Sequence, residues 1–239
     1  MLPEFTSSDG ALLVDKPSGL TSHDVVDRIR RHFGFKKVGH CGTLDPLATG
    51  LLVIVLERAT KLQDRIMSDD KTYEGVMRLG IATDSHDADG AVLAEKPVPS
   101  LTQADLDAVL QKCRGDIQQI PPMISAVKHQ GTPLYKLARK GKTIEREPRL
   151  VHIYDLTILN FQLPDVKLRV TCTKGTYVRT LCHDIGEILG CGAHLAELRR
   201  TRSGKLDVAN AQTLDQIFDL SRPELEKHIV PVLQLAKSL

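Results

Sequence analysis

One carboxylate stands out in residues 36–52, KKVGHCGTLDPLATGLL. Asp45 is preceded by Gly39 and Gly42, followed at once by Pro46, and then by Gly50. Glycine allows turns and close backbone approaches that a side chain blocks. A following proline holds Asp45 in extended or turn geometry. Residues 51–56, LLVIVL, read as a buried strand. Asp45 is therefore expected on a constrained loop that feeds a core strand, a good place for a rigid scaffold to present a reactive group. The plainer alternative is a turn aspartate bonded to its own backbone, and for an isolated Asp-Pro that is the better reading.

The segments around the loop must position it. Residues 11–14 read as a strand and Pro17 and Gly19 as a turn. Thr21 or Ser22 can cap a helix whose apolar face is Val25, Val26, Ile29 and Phe33. Arg28, Arg30 and Arg31 lie on its other face and Lys36 and Lys37 follow, which makes either a solvated face or a phosphate-contacting one. Residues 60–68 read as a short helix. Tyr73, Gly75, Met77, Leu79 and Ile81 alternate with their neighbours in strand period, with Tyr73 at the entrance. The run TDSHDADG at 83–90 has the look of a calcium loop, but the twelfth position counted from Ser85 is Lys96, not glutamate. It reads as a hairpin turn with solvated charge.

After a linker at 97–101, Thr102 caps a helix with Leu106, Val109, Leu110 and Cys113 on one side. From Lys128 to Arg149 the chain turns basic: Lys128, Lys136, Arg139, Lys140, Lys142, Arg146 and Arg149 face only Glu145 and Glu147. A protruding basic segment with little core pattern suits a polyanion. Residues 150–161 and 166–172 read as strands, the second with one wet face. The turn Lys174-Gly175-Thr176 leads into a helix with Val178, Leu181, Ile185, Ile188 and Leu189 inside. Arg199, Arg200 and Arg202 cluster in HLAELRRTRSG, and residues 213–239 give one or two short helices around Leu214, Ile217, Phe218, Ile229 and Leu233. Strands and helices interspersed without regular alternation indicate an α+β fold rather than a doubly wound one.

Composition narrows the class. The 239 residues are 41% hydrophobic, enough for a real core. The net charge is only +2, so a basic surface must come from local segregation. Five scattered cysteines, odd in number and without a C-x-x-C pair, argue for reduced cytoplasmic thiols and against a disulfide framework or a structural zinc site. No apolar run approaches a membrane span and no signal peptide precedes the first strand. There is no Trp and aromatics are 4%, so any base stacking falls on few side chains.

The block GHCGTLDPLATGLL resembles the active-site motif of the TruB family of tRNA pseudouridine synthases. DKPSGLTSHDVV at 15–26, KTYEG at 71–75, PPMISAVK at 121–128 and KGTYVRTLCHDIG at 174–186 resemble further family blocks in the family's order. The resemblance implies a mixed, mostly antiparallel central sheet flanked by helices, with a basic insertion at about 121–149 that clamps RNA. It implies isomerisation of the uridine at position 55, in the TΨC loop of tRNA, with no cofactor and no metal. Asp45 matches the family's catalytic aspartate, Arg179 the arginine that pairs with it, and Tyr73 the tyrosine that stacks on the uracil. Tyr177 and Leu198 match pocket residues, and His40 the histidine that enters the RNA loop vacated by the flipped base. Lys128, Arg139 and Lys140 fall in the RNA-clamping insertion. Lys16 and Pro17, with Gly42 and Thr43, match structural positions beside the site. Cys41 stands where the family usually has Thr, and Ile124 where it usually has Tyr.

The expected organisation is a catalytic domain over 1–212 and a short helical tail over 213–239, without the further RNA-binding PUA domain of many relatives, acting as a monomer on the T stem-loop of tRNA. Two rival functions stay open: a pseudouridine synthase for another RNA uridine, and a non-catalytic tRNA-binding or tRNA-folding protein. A glycoside hydrolase would want a second carboxylate across the bond, and Asp184, in the last of the motifs, stands at a helical position that suggests a structural role.

Overall fold

The computed structural model describes residues 6–125, 127–138, 141–142 and 144–238. The chain forms two compact units, residues 1–73 with 198–239 and residues 74–197. Two strands, Lys71–Leu79 and Ala193–Ser203, carry the chain from one unit to the other. The fold is α+β, with mixed, mostly antiparallel strand pairing and helices alongside.

In the first unit, strand Gly10–Lys16 pairs antiparallel with Thr49–Leu56, from Gly10 opposite Leu56 to Lys16 opposite Gly50. Val38–His40 pairs on the other side of Thr49–Leu56, and Arg199 and Arg200 pair parallel with Thr49 and Gly50. The hydrophobic run at 51–56 is buried on both faces, which explains why it shows no alternation. Leu12, Val14, Leu52, Ile54 and Leu56 join one core cluster, while Ala11, Leu13, Leu51, Val53 and Val55 join a second. Helix Ser22–Phe33 seals the first cluster with Val25, Val26, Ile29 and Phe33, the four residues expected. Thr21 caps it through a reciprocal box with Asp24, and Gly34 ends it at φ +68°. Residues 213–238 return to this unit: Gln212–Thr213 and Val230–Pro231 pair with the first strand. The tail holds three short helices, Leu214–Phe218, Arg222–Glu226 and Val232–Ser238, one more than expected. Leu233 is exposed rather than core, because Val232 and Leu235 form the inward row of the last helix.

In the second unit, strand Arg149–Gln162 pairs antiparallel with Asp165–Cys172 and with Gly115–Gln119. Val166, Leu168, Val170 and Cys172 face inward while Lys167 and Arg169 are exposed, the one-wet-face pattern expected. Helix Gln103–Lys112 starts at the capping box of Thr102 and Asp105, with Leu106 and Leu110 buried but Val109 only half-buried. Helix Val178–Leu189 buries Val178, Leu181 and Ile185, but Ile188 is 53% exposed, at the rim of the buried stripe in the last turn. The run at 83–90 does join a hairpin, Ile81–Thr83 with Val92–Glu95. Its charge is not all solvated, however: Asp87 is buried, because it meets a buried cation described below. Among the described residues no helix is long and apolar enough to cross a membrane.

Candidate active site

Asp45 sits half-buried on a loop between strands Val38–His40 and Thr49–Leu56, within the first unit. Main-chain bonds close the loop on itself and on its surroundings. The Ala48 N–H donates to the Asp45 carbonyl (3.0 Å), the Gly19 N–H to the Pro46 carbonyl (2.8 Å) and the Cys41 N–H to the Val53 carbonyl (2.8 Å). Ser22 adds a two-way link from the first turn of its helix. Its hydroxyl accepts from the Leu44 N–H at 2.8 Å and donates to the Leu44 carbonyl at 3.1 Å. Leu44 and Ala48 are buried in the first core cluster, so the flanks of Asp45 are fixed by packing as well. Gly42 and Gly50 adopt φ +93° and +95°, the left-handed region that favours glycine.

Lys16 lies wholly buried beneath this loop. Its ammonium donates to the carbonyls of Pro17 (2.8 Å), Leu20 (2.7 Å) and Pro46 (3.4 Å). Burial pushes its pKa down to about 8, with Arg200 adding to that push and the Asp45 carboxylate opposing it. Lys16 and Pro17 were expected beside the site; Lys16 reaches the loop at the Pro46 carbonyl, and Pro17 accepts one of its bonds. Tyr73 and Leu198, expected as stacking platform and pocket wall, both pack half-exposed against the first core cluster, which also holds Leu44 and Ala48. The Thr49 hydroxyl ties the Leu198 carbonyl to the loop's exit at 3.3 Å. His40 is half-buried at the end of its short strand. Burial, then Arg200 and His23, lower its pKa, so the ring is neutral around pH 7. Cys41 is fully buried and its thiol is pushed up to about 12, which makes it a packing residue, as expected. Thr43 is exposed on the same loop.

The second unit presents Arg179 in the first turn of helix Val178–Leu189. The residue is only 3% exposed. Nη1 bonds the Asp87 carboxylate at 3.2 Å, and Nη2 donates to the Ile124 carbonyl at 2.6 Å. The guanidinium also lies 5.7 Å from the centre of the Tyr177 ring. Tyr177 is fixed through its backbone: its N–H donates to the buried Gln119 amide oxygen (3.0 Å) and its carbonyl accepts from the same amide (3.2 Å). Asp87 and Gln119 went unnoticed in the sequence. Nothing local marks a buried carboxylate in an acidic turn, and Gln119 reads there as an ordinary strand residue. Of the clamp residues, Lys128 falls in the two-residue strand Lys128–His129, while Arg139 and Lys140 lie outside the described residues. Among the described residues no cluster of three His, Cys, Asp or Glu side chains could hold a metal ion.

A family model described as TruB family pseudouridylate synthase (N terminal domain) matches residues 30–178, and one described as tRNA pseudouridylate synthase B C-terminal domain matches residues 179–236. The chain belongs to the TruB family. It is 53% identical over 231 residues to tRNA pseudouridine synthase B of Opitutus terrae, covering 97% of this chain and 96% of that one. To the protein of the same name from Burkholderia pseudomallei it is 51% identical, covering 94% of this chain and 74% of that one. Among solved structures it resembles a chain of a Cbf5–Nop10–Gar1 complex with TM-score 0.77 and 31% identity. A chain of an H/ACA RNP bound to a substrate RNA containing 2′-deoxyuridine follows with TM-score 0.73 and 28% identity. The chain is covered at 98% and 97% in these two matches and spans 63% and 62% of the solved chains. The fold expected from the resemblance is thus the fold found, and this TruB-family chain is a pseudouridine synthase.

Proposed function

We propose that this enzyme converts the uridine at position 55 of the TΨC loop of tRNA into pseudouridine, in the cytoplasm, without a cofactor. The reaction breaks the N1–C1′ bond, turns the uracil, joins C5 to C1′, and moves the C5 proton off while N1 regains one. No electron, phosphate or methyl group is exchanged, so the stoichiometry asks for no second substrate. The uridine must leave the base stack to react, at a cost of a few kcal/mol. Asp45 is the carboxylate that attacks the nucleotide. Tyr73 stacks on the uracil, a contact worth ~1–3 kcal/mol, and helps remove the C5 proton. Arg179 is the counter-cation of the acid, Tyr177 and Leu198 line the base, and His40 fills the place the base leaves. Lys128, Arg139 and Lys140 hold RNA phosphates. The observation that carries the reading is the Asp45 loop. Asp45 is left half-buried there while Leu44 before it and Ala48 after it are packed into the core and bonded to their surroundings. The names of the relatives at about half identity support tRNA as the substrate.

The test is Asp45→Asn assayed on a tRNA transcript and on one lacking only that uridine. Pseudouridine should vanish with the variant while tRNA binding stays within about tenfold, or ~1.4 kcal/mol. Product from the variant rules out Asp45 as the catalyst. Product from the altered transcript moves the target to another uridine.

A further inference from the structure

Three cationic side chains withdrawn from solvent surround the Asp45 loop. Lys16 is 0% exposed, Arg200 1% and Lys71 5%. Their hydrogen bonds go to main-chain carbonyls. Lys16 binds those of Pro17, Leu20 and Pro46, Lys71 those of Met67 and Asp69, and Arg200 those of Leu51 and Gly42. Carbonyl dipoles satisfy the donors but do not cancel the charges; the carboxylates that act on them are Asp45 and Asp24 for Lys16, and Asp69 and Asp70 for Lys71. Burial at this depth costs several kcal/mol per ion, so the placement needs a reason beyond packing.

Arg200 differs from the two lysines in two ways. Its planar fork reaches both ends of the loop at once: Nη2 donates to the Gly42 carbonyl at 3.1 Å and Nε to the Leu51 carbonyl at 2.7 Å. Both glycines of the loop lie against it. A Cβ at Gly42 would stand 3.3 Å from Arg200 Nη1, and one at Gly50 would stand 2.3 Å from the Arg200 carbonyl. Second, burial brings the Lys16 and Lys71 pKa values down to about 8, with Arg200 adding to both shifts, whereas a guanidinium keeps its proton at any working pH.

We infer that Arg200 is a positioning residue for the reaction: it clamps the two ends of the Asp45 loop through Gly42 and Leu51 and supplies the permanent positive charge beneath the acid. This rests on the reading of Asp45 as the catalytic carboxylate. Arg200→Lys keeps the charge and loses the fork; Arg200→Met loses both. Single-turnover rates on tRNA are measured from pH 5 to 9, with tRNA affinity and thermal melting as controls.

Arg200→Lys is expected to slow the plateau rate about 10-fold with the acid limb in place. Arg200→Met is expected to slow it further and to move the acid limb up by about one pH unit, since loss of a cation makes the acid harder to ionise. tRNA affinity should change less than about threefold in both. A folded Arg200→Met enzyme with an unmoved acid limb overturns the electrostatic role. If Arg200→Met does not fold, Arg200→Lys decides: a folded enzyme at the wild-type rate overturns the clamp. Asp45→Asn in the unaltered protein separates the two failures. Activity there defeats the reading of Asp45 itself, whereas an inactive Asp45→Asn beside unaffected Arg200 variants defeats only this inference.

Discussion

The two units hold their key side chains by different means. In the first, the Asp45 loop is fastened almost wholly through the main chain, by carbonyls facing Lys16 and Arg200 and by the Ser22–Leu44 exchange. In the second, Arg179 is held by the side chain of a carboxylate, Asp87, 92 positions away in sequence, together with the Ile124 carbonyl. Every residue but proline offers the same backbone groups, so the first arrangement tolerates changes in the loop's own side chains. Cys41 and Thr43 show this: one is buried and the other exposed, and the bonds around the loop use neither side chain. The second arrangement is sensitive to a single change at Asp87, because taking a carboxylate away from a buried guanidinium withdraws charge that helped to compensate it.

The comparison breaks most directly at Asp87. Asp87→Asn keeps the shape and removes the charge, and should destabilise the protein by ~3–5 kcal/mol in denaturant titrations. A loss under about 1 kcal/mol would mean that the pair is no more than a surface-like contact.

Acid should strike the second unit next. His86 stacks on His183 with ring centres 3.9 Å apart, and its pKa is brought down to about 4 by burial, then by His183, Arg179 and Arg146, with Asp84 opposing. A base whose folded pKa lies below its unfolded value of 6.5 contributes full stability above pH 6.5 and loses it as pH falls through 4. His86→Asn should flatten the stability curve in that window. Asparagine suits the position because residue 86 has φ +64°. Equal acid sensitivity in wild type and variant removes the stacked pair as the cause.

The smallest effect sharpens the first unit's side of the comparison. Ser22→Ala leaves the buried Leu44 N–H without its acceptor, a loss of ~1–3 kcal/mol. Amide exchange at Leu44 should speed up while exchange at Val53, deep in the neighbouring strand, stays slow. Uniform acceleration would show that the loop is not a separately held piece.

Much of the molecule was legible from local pattern. The helix at 22–33 and its four apolar residues follow from spacing, with the cap narrowed to Thr21 or Ser22, as does the alternating strand from Val166 to Cys172, while the polar run at 83–90 marks a hairpin turn. Ile188 and Leu233 were misplaced because apolar type does not say how far a covering surface extends past the last helical turn. HLAELRRTRSG shows the limit well. Read as a basic cluster, it is a strand in which Arg199 pairs with Asp15 at the surface, Arg200 is buried, and Arg202 reaches Asp207. Adjacent strand residues point to opposite sides, so the doublet had to split. Which arginine went inward depended on the register with Thr49–Leu56.

By itself the sequence determined what depends on neighbours in the chain: helix caps, strand periods, the glycine turns around Asp45, and the motif that carries it. Tertiary structure alone decided which charges left water. Lys71, Asp87 and Arg200 look like any other ionisable residues in the sequence, and only the resemblance singled out Lys16 and Arg179. Their burial is possible only because carbonyls or a carboxylate from distant segments arrive to meet them, and nothing local encodes that arrival.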